Sequence, residues 1–136
     1  MSDLGDLAER LRQLALSLPE TYEDEPWGHP VFKVAENRMF ASMSVAEDCV
    51  RLTVKLTPEE REMAHLLPYV STARYVGRWG WVTAEVADEE SLEAALEWLR
   101  ESYWLKAPTS LRGAVEGWDE EEPDGSQSSR SEGSSA

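Results

Sequence analysis

Arg74, Arg78, Trp79 and Trp81 crowd two guanidinium groups and two indole rings into eight residues of a strongly acidic chain. Guanidinium groups bind phosphate oxygens, and indoles stack on bases or bury against a partner. The run Trp79 to Val86 alternates with period two. It predicts a strand with Trp79, Trp81, Thr83 and Glu85 on one face and Val82, Ala84 and Val86 on the other. The aliphatic face is the natural core face, which leaves the tryptophan face to packing or to binding. Lys33, Arg51 and Lys55 sit on neighbouring strand candidates at positions that share this second face. A set of five cations, Lys33, Arg51, Lys55, Arg74 and Arg78, is therefore a candidate phosphate-binding surface. Trp79 and Trp81 are a candidate stacking or interaction face.

The other reactive side chains suggest no catalysis. His29 precedes a proline in a turn and His65 falls in a helix, with no companion at metal-ligand spacing. Cys49 follows Glu47 and Asp48, whose charge disfavours a thiolate. Glu20, Glu23, Asp24 and Glu25 offer carboxylate oxygens that suit a hard cation, but a solvated acidic loop explains them as well. No glycine-rich phosphate loop, nucleophile elbow or zinc-ligand spacing occurs. The expectation is a non-enzymatic protein with no cofactor and no metal.

Charge narrows the choice of partner. The chain of 136 residues carries a formal charge of −14. Affinity for nucleic acid comes largely from neutralising phosphates, so a DNA role requires a local basic face and is expected to be weak and salt-sensitive. Part of the acidity lies in the last stretch, where Asp119, Glu120, Glu121, Glu122, Asp124 and Glu132 oppose Arg130 alone. That stretch is otherwise Ser- and Gly-rich and has no apolar periodicity. It predicts a folded domain over residues 1–116 and a disordered tail over 117–136. A single cysteine excludes an intrachain disulfide and fits a reducing compartment. No signal-peptide pattern and no apolar run of about 18 residues is present, so the expectation is a cytoplasmic protein with no membrane partner.

The elements that must position these residues read clearly. Leu4 to Leu18 has an apolar stripe ended by Pro19, with Asp3 as a cap. Residues 20–30 read as a polar connection. Strands are expected at Val31 to Val34, Met39 to Val45 and Val50 to Leu56. Thr57-Pro58-Glu59-Glu60 starts a helix expected to turn Met63, Leu66, Leu67 and Val70 inward. Arg74 to Val86 supplies the last strand or two. Asp88 then caps a long helix with Leu92, Ala95, Leu96, Leu99 and Tyr103 along one stripe, followed by a short turn at Ser110 to Val115. The order predicts an α+β fold: an antiparallel sheet of about five strands with the N- and C-terminal helices packed on one face. The opposite face is free to meet solvent or a partner.

Four segments in order, Gly28 to Val34, Val50 to Leu56, Gly80 to Thr83 and Glu101 to Tyr103, resemble the MmcQ/YjbR family of small bacterial proteins. The likeness runs from about Leu7 to Val115. It implies a fold like that of the frataxin homologue CyaY and a double-wing DNA-binding motif, with Lys33, Lys55 and Trp81 as matching positions. Many relatives open the last strand with His-Trp, where this chain has Gly80-Trp81. Two readings stay open: a DNA-binding protein using the five cations, or a protein-interaction or small-ligand module using the Trp79/Trp81 face. Oligomeric state is not legible.

Overall fold

The computed structural model describes residues 3–74 and 76–112. The expected tail, 117–136, and the end of the expected last turn lie outside these residues. Helix α1 spans Leu4–Ser17, strand β1 Thr21–Asp24, β2 Val31–Val34, β3 Arg38–Val45 and β4 Val50–Lys55. Helix α2 covers Pro58–Ala64, β5 Val70–Thr72, a 3-10 turn Gly77–Trp79, β6 Trp81–Val86, α3 Glu89–Lys106 and α4 Thr109–Arg112. Six strands form one antiparallel sheet in the order β1-β2-β3-β4-β6-β5. This is the expected α+β architecture with one strand more. Two strands fall outside the expected ranges: β5, which takes Val70 out of the expected helix and precedes Arg74, and β1, in the segment read as a polar connection. An edge strand needs only one partner and is commonly charged, which hid it.

Helices α1 and α3 cover one face. Leu7, Leu11 and Ala15 from α1 meet Leu92, Ala95, Leu99 and Tyr103 from α3 above Leu52, Val54, Val82, Ala84 and Val86 of the sheet. The long helix is well started: the Asp88 carboxylate accepts from Ser91 N–H, and Ser91 Oγ accepts from Asp88 N–H, a reciprocal capping box. Asp3, by contrast, makes no side-chain cap. Helix α2 stops at Ala64, its one buried residue, so Met63 and Leu66 face solvent instead of the core. Trp98, outside the expected stripe, is buried and donates its indole N–H to Glu60 at 2.9 Å.

A β-bulge in β3 sets the phase of the sheet. Phe32 pairs with Ala41 but Lys33 pairs with Met39, so Phe40 is an additional residue in its strand. The bulge turns Phe40 and Ala41 both into the core, where Phe40 meets Tyr103 edge to face at 5.5 Å. It also interrupts the ladder to β4, whose direct pairing ends at Ala41 and Val54. The fully buried Ser102 hydroxyl closes the gap, donating to Phe40 C=O at 2.6 Å and accepting from Lys55 N–H at 2.9 Å. Its neighbours complete the clasp. Glu101 accepts from Thr57 N–H at 2.9 Å, and Tyr103 O–H donates to Pro19 C=O at 2.8 Å. Three consecutive residues of α3 thus hold β3, β4, the start of α2 and the end of α1.

At the far edge, Lys33 Nζ donates to Asp24 at 3.0 Å and to Asn37 at 2.6 Å, which pins β1 and the β2–β3 turn. Hydrogen bonding from Lys33 holds the Asp24 carboxyl below the usual carboxylate range, and the Glu25 backbone N–H assists.

Ser102→Ala should destabilise the protein by about 2 kcal/mol in urea unfolding, because it strands a buried carbonyl and a buried N–H together. An unchanged midpoint would mean that water replaces the hydroxyl without cost. Asp24→Asn tests the edge clamp through pH. A depressed carboxyl pKa contributes stability that is complete above about 3.9, the unfolded value, and is lost as pH falls through the lower folded value. Wild type should therefore exceed the variant at neutral pH, and the two unfolding curves should converge in strong acid.

Candidate functional site

The face away from α1 and α3 is organised in rows set by strand register. Ser44, Arg51 and Glu85 lie side by side on β3, β4 and β6. The next row places Ser42, Thr53, Thr83 and Ser71 across β3, β4, β6 and β5. Lys55 and Trp81 pair in the row after that. The middle row is a line of four hydroxyls, and Thr53 and Thr83 hydrogen-bond across it at 2.9 Å. Hydroxyls both donate and accept, so the line can meet a ligand's polar groups of either kind.

This surface is concave. Segments at its two sides rise to make a trough of about 840 Å³. One wall is the β1–β2 loop, with Trp27 exposed and its ring 6.1 Å from that of His29. The other is the β5–β6 connection, with Ala73, Arg74 and Val76. Met39 also lines it, turned onto this side by the bulge. Volumes of about 300–1,000 Å³ are typical of ligand pockets. The charges within it nearly balance, since Arg51 Nε lies 3.7 Å from Glu85 with both side chains about half exposed.

The sequence-selected residues do not form one surface. Trp79 was expected on the strand beside Trp81, but it lies in the 3-10 turn, exposed, with the Arg78 guanidinium 4.2 Å above its ring. Gly80, at φ +94°, makes the turn that separates the two tryptophans. Trp81 begins the strand and is only 6% exposed, so it offers no open ring to a base. Of the five cations, Arg51 and Arg74 line the trough. Lys33 is held by Asp24 and Asn37, Arg78 rests on Trp79, and Lys55 stands one row beyond the hydroxyls. The trough's aromatic wall, Trp27 and His29, was missed as a site. Its signal was Trp27-Gly28-His29-Pro30, a turn rich in rings, but only the tertiary fold brings it over the sheet.

The remaining reactive groups are accounted for by their surroundings. Burial pushes the Cys49 thiol up, with Glu85 and Asp48 adding to the shift. Glu23 of the acidic segment accepts from Arg12 at 2.7 Å, and Asp24 is the partner of Lys33. No three His, Cys, Asp or Glu side chains gather as a metal-binding group among the described residues. No helix among them is long and apolar enough to cross a membrane.

The fold recurs in solved structures. A Deinococcus radiodurans protein, DR2400, described with the family domain DUF419, is 27% identical, with a TM-score of 0.65 over 82% of this chain and 93% of its own. A Pseudomonas syringae protein has a TM-score of 0.53 over 78% of this chain and 99% of its own, at 15% identity. The second likeness is one of fold alone. No curated protein matches the chain. The YjbR family model covers residues 16–105, from the end of α1 to the last turn of α3 and so across the whole sheet and the Glu101-Ser102-Tyr103 clasp: the chain belongs to the YjbR family.

Proposed function

We propose that this chain is a non-enzymatic binding protein whose site is the trough on the uncovered sheet face, and that its ligand is a small molecule with a polar edge and a flat apolar body. The observation that carries this reading is the row of four hydroxyls from four strands at the floor of a groove of about 840 Å³. The floor supplies hydrogen bonds without net charge. Trp27 and Met39 supply apolar and stacking contact at the sides. An extended segment of a partner protein is the larger occupant that the same surface accommodates. In either case the trough replaces the Trp79/Trp81 face as the place of contact.

DNA binding is the second reading, favoured by one observation: Arg51 and Arg74 both line a trough with an exposed tryptophan at its rim. Cations flanking an aromatic ring suit a single strand better than a duplex. The overall charge of −14 and the engagement of Lys33, Arg51 and Arg78 with other groups keep such binding weak.

The test is a fragment and metabolite screen read by amide chemical shifts on the full chain. Hits should move Ser42, Thr53, Ser71 and Thr83 together and alter the fluorescence of Trp27. Ser42→Trp, which fills the floor, should abolish them. Hits that map elsewhere, or that survive Ser42→Trp, would refute the trough. The DNA reading is titrated in parallel at low salt with single-stranded and duplex oligonucleotides. If it holds, Arg51→Glu with Lys55→Glu should weaken single-strand binding at least about tenfold, and log affinity should fall with log salt at about −0.7 per phosphate neutralised.

A further inference from the structure

Arg51 and Glu85 stand directly opposite each other on β4 and β6, with Ser44 beside Arg51 on β3. Partners in register share a face, and all three line the trough. The contact between the two charges is loose. Arg51 Nε lies 3.7 Å from Glu85 Oε2, the longest of the ion pairs among the described residues and beyond hydrogen-bond reach. Elsewhere cations close on their carboxylates: Arg12 reaches Glu23 at 2.7 Å and Arg10 reaches Glu89 at 3.0 Å. Neither the Arg51 nor the Glu85 side chain makes a hydrogen bond among the described residues, and both are about half exposed.

The pair therefore keeps unused hydrogen-bonding capacity of both kinds inside a groove. The guanidinium offers donors and the carboxylate offers acceptors. An exposed ion pair of this kind contributes little to stability, so a partner that engages both groups gives up little by loosening it. The pair is neutral as a whole. A ligand with net charge of either sign is attracted by one group and opposed by the other, whereas a ligand carrying both signs a short distance apart gains from both. In an α-amino acid a single carbon separates ammonium from carboxylate, a spacing comparable with the gap of 3.7 Å between the protein groups. Laid head to tail against the pair, its charges alternate with those of the protein. Beside this row the β1–β2 loop is tied to β3, since Met43, next to Ser44, donates its N–H to Pro30 C=O at 2.9 Å. That loop carries the exposed ring of Trp27 on the trough wall, a surface on which a flat side chain can stack.

We propose that the ligand of the trough is a free α-amino acid with an aromatic side chain, its carboxylate held by Arg51, its ammonium by Glu85 and its ring against Trp27. The proposal rests on the trough reading and names the ligand's polar edge as a zwitterionic head group. A residue inside a peptide lacks both charges, so the site takes the free form.

L-phenylalanine and L-tyrosine, titrated into the full chain at neutral pH and followed by amide chemical shifts, test it. They are compared with 3-phenylpropanoate, which lacks the ammonium, and 2-phenylethylamine, which lacks the carboxylate. The amino acids should move the Ser44, Arg51 and Glu85 amides saturably, and each single-charge analogue should bind about tenfold more weakly. Variants should reverse this order. Glu85→Gln leaves Arg51 without its counter-charge, so it should weaken the amino acids about tenfold and strengthen 3-phenylpropanoate; Arg51→Gln should do the same in favour of 2-phenylethylamine. A misfolded variant would lose all the probes together, and the comparison of probes on wild type then decides. Amino acids that bind no better than the analogues, or trough hits in the fragment screen with no amino acid among the binders, would overturn the zwitterion assignment and leave the trough in place. No binder of any kind at Ser42, Thr53, Ser71 and Thr83 would remove the trough reading itself and this proposal with it.

Discussion

The Ser102 hydroxyl, held between Phe40 C=O and Lys55 N–H, is the contact on which the arrangement of this sheet depends. An additional residue in β3 costs two ladder partners at a buried position, and unpaired backbone groups there are expensive. One side-chain oxygen that both donates and accepts satisfies the two at once. With that cost removed, the bulge is stable, and it reverses the facing of everything before Ala41 in its strand. Phe40 enters the core, Met39 enters the trough and Arg38 reaches the end of α3. A strand of uninterrupted alternation would send Phe40 to the open face and Met39 to the core. The clasp therefore fixes the core and the trough wall together.

This gives the Glu101-Ser102-Tyr103 triplet a structural meaning. A conspicuous motif in a small protein invites a catalytic reading, and a serine between an acid and a tyrosine does so especially. Here each side chain ends on a backbone group: Thr57 N–H, the Phe40 and Lys55 pair, and Pro19 C=O. Ser102 is fully buried and its hydroxyl is already spoken for in both directions, so it is not placed to attack a substrate.

Much of the fold was legible because it follows from period. The alternation of Val50, Leu52 and Val54 against Arg51, Thr53 and Lys55 assigned the open face of β4 correctly, and the stripe of α3 assigned its core face. The Asp88 cap was equally local. What failed was non-local or a matter of phase. Met39-Phe40-Ala41 is three apolar residues in a row, a pattern that allows a bulge but does not place it. Trp79 fitted the alternation of β6, yet the Gly77 to Gly80 turn removes it from the strand. A Cβ on Gly77 would come within 2.3 Å of the Thr72 side chain, so this close approach needs glycine. Trp27 and His29 wall the trough only because β1 and β2 pair, and β1 itself was hidden by its charged residues.

Charge also bears on what the proposed trough would accept. In the trough, Arg51 and Glu85 nearly cancel and hydroxyls dominate the floor, so under the proposed binding role shape and hydrogen bonding would select a ligand more than net charge. A field from a net −14 chain opposes any polyanion that must lie along the surface, because each further phosphate meets more acidic protein. The acidity of the chain thus argues against an extended nucleic-acid track.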